Sequence, residues 1–301
     1  MPLLPGMQPG NLSTLPAFLS SAVAAEVESL DQIHRILEQY IVVLASASPR
    51  RLDIIGTACD CCCLPTSKEE EIAESKKEEW RNDSPATYVM QLSAVKASDV
   101  SDKIFKASQS GDSSLDSLLT FTQNDCAVSD LLKFRNGIVV VAADTTVCVM
   151  PAEDDATPGV ILDKPLTEDR AKSTLKQLSG NAHATLTGVS CMLLKRISSD
   201  GRLGVGANVF PTFCARSNVI FKPLTDTLID AYVATGLPLD KAGAYGIQHD
   251  VGLAGGEFDL IERLDGSFLN VMGFPLGQFA KEAKAALPPQ GVGKLAEAAT
   301  G

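Results

Sequence analysis

Ile41-Val42-Val43-Leu44-Ala45-Ser46-Ala47-Ser48-Pro49-Arg50-Arg51-Leu52-Asp53-Ile54-Ile55-Gly56 reads as a strand, a serine-rich turn and a helix. The apolar run from Ile41 to Ala45 stops where the serines begin, and Ser48-Pro49 is an N-cap and first-turn pair that starts a helix ending before Gly56. Outward from this unit the alternation continues. Ala86 to Ser98 has helical spacing through Tyr88, Met90, Leu92 and Val95. Ile138 to Met150 is a long β-branched apolar run with the character of a buried strand. Thr167 to Gly180 reads as a helix capped by Thr167, acidic at its start and closed by a glycine. Further strands are expected at Ala184 to Leu194, Val219 to Phe221 and Phe258 to Leu264, with a helix at Leu224 to Thr235. Strands alternating with helices make the class α/β.

The chain of 301 residues accommodates one domain over residues 39–285, with an N-terminal extension at 1–38 and a tail at 286–301. Residues 68–83 are dense in charge and read as a solvated helix or loop. Residues 101–136, rich in Ser, Asp and Leu, read as an inserted surface excursion with one amphipathic helix from Leu115 to Phe134, and residues 195–211 as a lengthened hairpin. Hydrophobic residues at 45% and charged residues at 21% fit an ordinary globular core. A net charge of -11 argues against broad binding to nucleic acid or an anionic membrane. A phosphate-bearing small substrate stays open, provided that cations gather locally. No apolar run reaches membrane-span length, and the extension, whose only Lys or Arg is Arg35, lacks a secretory or transit pattern, so a cytoplasmic protein is expected. The cysteines at 59, 61, 62 and 63 lack a paired C-x-x-C partner and read as thiols in a reducing compartment.

Chemistry concentrates at the helix that begins with Pro49. Arg50 and Arg51 lie in its first turn, where the helix dipole disfavours positive charge by some tenths of a kcal/mol. Free backbone N–H groups beside two guanidinium forks form a site for an anion, most naturally a phosphate; two exposed arginines of no consequence are the plainer alternative. Asp144 interrupts the apolar run Val139-Val140-Val141-Ala142-Ala143 and Val147-Cys148-Val149. Buried there it needs a cation, a metal or hydrogen-bond donors; otherwise it is a turn aspartate capping Thr145 and Thr146. Lys164, before Pro165, and Lys241, in a glycine-containing stretch, carry little weight singly.

Together these segments resemble the Maf family, named for inhibition of septum formation. The pieces are Leu44-Ala45-Ser46-Ala47-Ser48-Pro49-Arg50-Arg51, Ala143-Asp144-Thr145, Lys164-Pro165, Leu178-Ser179-Gly180 with His183, Thr187-Gly188-Val189, Asp240-Lys241-Ala242-Gly243-Ala244-Tyr245-Gly246-Ile247-Gln248 and Asn270-Val271-Met272-Gly273-Phe274-Pro275. They occur in the family's order across roughly residues 41–280. The resemblance implies a fold related to the inosine-triphosphatase group, a long twisted mixed sheet flanked by helices with a cleft between two lobes. It implies hydrolysis of a nucleoside triphosphate between the α- and β-phosphates, with a divalent metal, Mg²⁺ or Mn²⁺. It implies that Ser46, Arg50 and Arg51 hold phosphates, that Lys96 and Lys164 add positive charge, and that Asp144 and a glutamate bind the metal or activate water. Spacing from the arginine pair makes that glutamate Glu71, with Glu70 the adjacent alternative. Arg50, Thr145 and Gln248 match the branch acting on dTTP and UTP rather than the branch acting on 7-methyl-GTP. The family often forms dimers, so a homodimer is expected.

Some residues depart from the family's pattern. Asp163 stands where a glycine is usual, adding negative charge near the expected phosphates, and His249-Asp250 follow Gln248 where a glycine is common. A Maf-fold nucleotide-binding regulatory protein with weak or no turnover is the rival reading. His183 has no metal-ligand partner at the right spacing and is expected to have a structural hydrogen-bonding role.

Overall fold

The structure is a computed structural model and describes residues 17–27, 30–121, 126–149 and 159–287. Two helices, α1 (Ala17–Glu26) and α2 (Leu30–Leu37), lead into strand β1 (Ile41–Leu44) and helix α3 (Pro49–Gly56). Strand β2 (Cys61–Cys63) and a 3-10 turn at Lys68–Glu71 precede α4 (Glu74–Asp83) and the long α5 (Pro85–Gln109). Two short helices, α6 (Asp112–Leu118) and α7 (Val128–Leu132), come before β3 (Gly137–Val149), β4 (Val160–Leu162), α8 (Glu168–Leu178) and β5 (Ala182–Lys195). The chain continues through β6 (Ala207–Asn208), β7 (Phe213–Phe221), α9 (Asp226–Ala234), α10 (Val251–Ala254), β8 (Ile261–Asp265), α11 (Phe268–Met272) and α12 (Leu276–Ala286).

The strands form one mixed sheet in the order β2-β1-β3-β5-β7-β8, with β4 added to β3 and β6 to β5. β1 runs parallel to β2 and β3; every other pairing named is antiparallel. This is the mixed α/β sheet flanked by helices that the family resemblance implies. Side-chain alternation along β3 sorts the core into two faces. Val139, Val141, Ala143 and Val147 pack with Val42, Leu44, Ile54 and Phe279 on one face. Ile138, Val140 and Ala142 pack with Ile41, Val43, Ala97, Val100 and Ile104 on the other, under α5.

One feature of the pairing positions the site. β1 pairs with β3 only as far as Leu44↔Val141, and β4 pairs with the same edge only from Leu162↔Val147 onward. Between them the edge of β3 from Ala142 to Thr146 has no strand beside it among the described residues. Chain β1 departs at this gap, Ala45 giving a last N–H to the Val141 carbonyl at 2.8 Å. Asp144 and Thr145 are half-buried here in a strand that is otherwise buried up to its last residue, Val149.

Several elements differ from their sequence pattern. The helix expected at Ala86 to Ser98 runs on to Gln109, because Val100 and Ile104 continue its buried stripe. The single amphipathic helix expected from Leu115 to Phe134 is instead α6 and α7, with Leu115, Val128, Leu131 and Leu132 turned into the core; residues 122–125 lie outside the described set. The strand from Ile138 ends at Val149, and Met150 also lies outside that set. Strand β7 begins at Phe213, six residues before Val219. The N-terminal extension contributes two helices whose Leu19, Val23, Ile33, Ile36 and Leu37 join the same cluster as Phe279 and Ala283 of α12.

Candidate active site

Arg51 is the centre of the site on the α3 face. Its Nε donates to the Gly273 carbonyl at 2.9 Å, one terminal nitrogen to Ser46 Oγ at 3.2 Å and the other to Thr145 Oγ1 at 3.0 Å. The planar fork of an arginine spreads these bonds over three separate nitrogens, where a lysine has only one. Thr145 is itself held by Thr187 Oγ1 at 3.0 Å, its partner across the β3–β5 ladder, and by the Gly273 carbonyl at 3.3 Å. Burial pulls the Arg51 guanidinium below the ordinary arginine range and Arg50 adds to the pull, while the carboxylates of Asp144 and Glu69 oppose it. A half-buried cation of this kind favours an anionic ligand.

The start of α3 adds donors. Ser48 occupies the N-cap position in an extended conformation, yet its hydroxyl makes no cap bond, unlike Thr167 at α8 and Thr225 at α9. The expected N-cap pair is therefore a cap in position only. Ser48 instead gives its N–H to Ser46 Oγ at 3.2 Å. First-turn amides without a side-chain acceptor are the donors that a phosphate takes up.

On the α5 face, Lys96 is buried, 7% exposed, and its Nζ lies 2.6 Å from Asp144 Oδ1 and 2.5 Å from Glu69 Oε2. Asp144 is thus a partnered carboxylate and not a turn cap. The geometry also separates the glutamates of the run 69–71. In a 3-10 turn residues three apart eclipse, so Lys68 and Glu71 share one face, where they pair in solvent, while Glu69 is rotated inward to Lys96. Glu70 is exposed and has no ion pair among the described residues. Spacing from the arginines selects Glu71, but Glu69 is the glutamate that shares Lys96 with Asp144.

Arg50 reaches the other wall of the site, 3.8 Å from Asp240, whose second oxygen holds Lys241 Nζ at 2.5 Å. Lys241 is buried and also donates to the Leu237 carbonyl at 2.6 Å. The following turn hugs β3: Gly243 has φ 69° and a Cβ there would sit 2.8 Å from Val147, so only glycine fits. Ala244, with φ 59°, carries the backbone strain of this turn. Gln248 is half-buried in the next turn, which Tyr232 Oη steadies through the Gly246 N–H at 3.0 Å and His249 Nδ1 at 2.7 Å. Lys164 is exposed; its segment is tied to this wall by the bond from Leu166 N–H to the Leu239 carbonyl at 3.2 Å. Asp163 lies 3.8 Å from Arg81 of α4, which answers the charge that departs from the family's pattern.

Three residues to which the sequence assigns no role complete the frame. Asp250, fully buried, accepts from the backbone N–H groups of Gly252, Leu253, Leu260 and Ile261 at 2.8–3.0 Å. It fixes the chain after Gln248 to the start of β8. Gly273 matters through its carbonyl, which no side-chain pattern announces. Arg81 stacks over Tyr88 with its carbon 4.7 Å from the ring centroid. His183 has the structural role expected of it, with Nε2 2.9 Å from Tyr245 Oη, and burial pulls its pKa to about 4.

A family model described as Maf-like protein matches residues 41–286. The chain belongs to the Maf family. Among its relatives, the dTTP/UTP pyrophosphatase of Thermococcus onnurineus is 33% identical over 237 residues, covering 78% of this chain and 92% of the relative. The dTTP/UTP pyrophosphatase of Geobacter sulfurreducens is 32% identical over 251 residues, covering 82% and 97%. A human protein named "Probable bifunctional dTTP/UTP pyrophosphatase/methyltransferase protein" is 34% identical over 254 residues, or 83% of this chain and 32% of that longer protein, so the chain spans about a third of it. The Maf match starts at β1 and leaves α1 and α2 outside. Among the described residues no helix is long and apolar enough to cross a membrane.

Proposed function

We propose that this chain hydrolyses the α–β phosphoanhydride of a nucleoside triphosphate, releasing a nucleoside monophosphate and pyrophosphate, with dTTP and UTP as substrates. The observation that carries the reading is the gap in β3 pairing, where a cation-held carboxylate pair from one face of the sheet meets a half-buried, three-bonded arginine from the other. Cleaving a phosphoanhydride needs charge neutralisation and a positioned water, with little covalent work by the protein. The amides at the start of α3, Ser46 and the guanidiniums of Arg50 and Arg51 bind the phosphates, and Lys164 approaches from the opposite segment. Asp144 orients the attacking water and takes up its proton as the water oxygen joins phosphorus. The bridging P–O bond breaks and its electron pair leaves on pyrophosphate.

A divalent cation fits the donor set. Among the described residues no cluster of three or more His, Cys, Asp or Glu could hold a metal by itself. Mg²⁺, however, is commonly bound by one or two carboxylates together with substrate phosphates. Asp144 and Glu69, two hard oxygen donors already converging on the Lys96 ammonium, would hold it. Such an ion supplies charge neutralisation to the phosphates and acidity to a nearby water. We also take the protein to be cytoplasmic and, as family members often are, dimeric.

Arg50, Thr145 and Gln248 support a pyrimidine substrate, and the names of the relatives agree. The test is a pyrophosphate-release panel with Mg²⁺ or Mn²⁺, comparing dTTP, UTP and 7-methyl-GTP for wild type and Asp144→Asn. Release from dTTP and UTP that is lost in Asp144→Asn is expected. Faster turnover of 7-methyl-GTP would overturn the specificity, and binding without release by wild type would favour the nucleotide-binding regulatory protein.

A further inference from the structure

The N-terminal helix α1 lies outside the residues that the family model matches, yet its last residue is bonded to the frame of the arginine clamp. Glu26 Oε1 accepts the Leu269 N–H at 3.1 Å, and Oε2 accepts the Ser267 hydroxyl. Ser267 is the N-cap of α11, where its own Oγ accepts the Asn270 N–H at 2.8 Å. Glu26 and Ser267 therefore satisfy the first amides of a helix of only five residues, at the end where the dipole favours negative charge.

The other end of α11 is the site. The Asn270 carbonyl accepts the Thr187 hydroxyl at 3.2 Å, and the Gly273 carbonyl accepts Arg51 Nε at 2.9 Å and the Thr145 hydroxyl at 3.3 Å. A helix this short has little stability of its own, so its position depends on what holds its two ends. The contact is built into both partners. A Cβ at Gly277, in the first turn of α12, would lie 2.6 Å from the Glu26 carbonyl oxygen, so that glycine permits the approach of α1. Phe18 packs on Phe268 with ring centroids 6.0 Å apart.

We infer that Glu26 is a positioning residue for the phosphate clamp: through Ser267 and Leu269 it fixes α11, and through the Gly273 carbonyl it sets the orientation of Arg51. This rests on the pyrophosphatase reading above. Arg51 binds substrate phosphate, so loss of Glu26 acts on KM more than on kcat, and it acts only while Arg51 can bond to Gly273.

The experiment is a cycle in the full-length chain with Glu26→Ala, Glu26→Gln, Arg51→Lys and the double variant Glu26→Ala/Arg51→Lys, assayed for pyrophosphate release from dTTP. Losing a helix-cap acceptor changes energies enough to raise KM by about five- to tenfold, with kcat within about twofold of wild type. Glu26→Gln keeps an acceptor for the Leu269 N–H and restores most of the loss. In the Arg51→Lys background Glu26→Ala adds less than about twofold, because coupled residues are not additive. The same fold-change in both backgrounds, or an unchanged KM, would overturn the inference. If wild type releases no pyrophosphate, the functional reading fails separately, and a crystal structure of Glu26→Ala decides this one. Separation of the Gly273 oxygen and Arg51 Nε beyond hydrogen-bond range supports it, and retention of the 2.9 Å contact refutes it.

Discussion

Replacing Lys96 by Met removes the ammonium from between two carboxylates and keeps most of the side-chain volume. Asp144 and Glu69 then face each other with no cation between them, at a place where the lysine contacts are 2.6 Å and 2.5 Å. Removing one partner of a fully buried pair costs about 3–5 kcal/mol. Here water reaches the survivors, since the Asp144 side chain is 15% exposed and that of Glu69 36%, which places the loss at roughly 2–3 kcal/mol. For a domain of this size about 2–4 °C of melting temperature corresponds to each kcal/mol, so Lys96→Met should melt roughly 4–12 °C below wild type in EDTA. The freed carboxylates should also bind Mg²⁺ more tightly than in wild type. Ligand binding to the native state stabilises it by mass action. Millimolar Mg²⁺ is therefore expected to recover much of the deficit in the variant and to shift wild type less. Thermal unfolding at matched ionic strength, with and without Mg²⁺, checks both. A variant as stable as wild type in EDTA, or one whose deficit ignores Mg²⁺, would refute the reading of these groups as a cation site.

Glu69→Gln should lower kcat for dTTP hydrolysis by about tenfold or more, an ordinary loss for a group acting on charge in the transition state, whereas Glu71→Gln, which removes a solvent pair with Lys68, should leave kcat within about twofold; the opposite ranking would return the role to Glu71. Stability should fall in acid through His183, whose folded pKa of about 4 lies below its ordinary value of 6.5. Between those values the unfolded chain binds a proton that the folded chain refuses, so stability declines as pH drops from 6.5 towards 4 and levels off below. Up to about 3 kcal/mol is at stake for so deeply buried a ring. Urea unfolding of wild type and His183→Gln across that range measures it, and parallel pH profiles would contradict the assignment.

The parts of the site that the sequence makes legible are those whose local pattern conflicts with their surroundings. Arg50 and Arg51 oppose a helix dipole, and Asp144 breaks an apolar strand, so each asks for a partner. The partners themselves are set by tertiary geometry. Lys96 looks like any polar residue of a long helix until α5 lies across β3 and brings it to Asp144. Spacing alone favours Glu71, because the rotation of a 3-10 turn that exchanges it for Glu69 leaves no mark on composition. The helices of the extension leave little local mark in the sequence, because their apolar residues are covered by α12, more than 200 residues away. The excursion at 101–136 holds two helices in place of the expected one because Leu115 and Leu132 each face the core from a separate short helix.

The pairing of β1 with β3 also bears on how the molecule comes together. Ile41 meets Ile138 across roughly 100 residues of intervening chain, while β3 and β5 are joined by a much shorter stretch. Arg51 travels with β1 and Asp144 with β3, so the two halves of the site meet only when that distant parallel contact closes. Loop-closure entropy rises with the logarithm of length, about 0.6 kcal/mol per doubling. An excursion such as 101–136 can therefore be carried inside the loop with little loss of final stability. It delays the encounter, because non-local pairing is the slow part of folding. A chain still on its way to the native state thus has Arg51 and Asp144 apart, and it brings them together in the step that pairs β1 with β3.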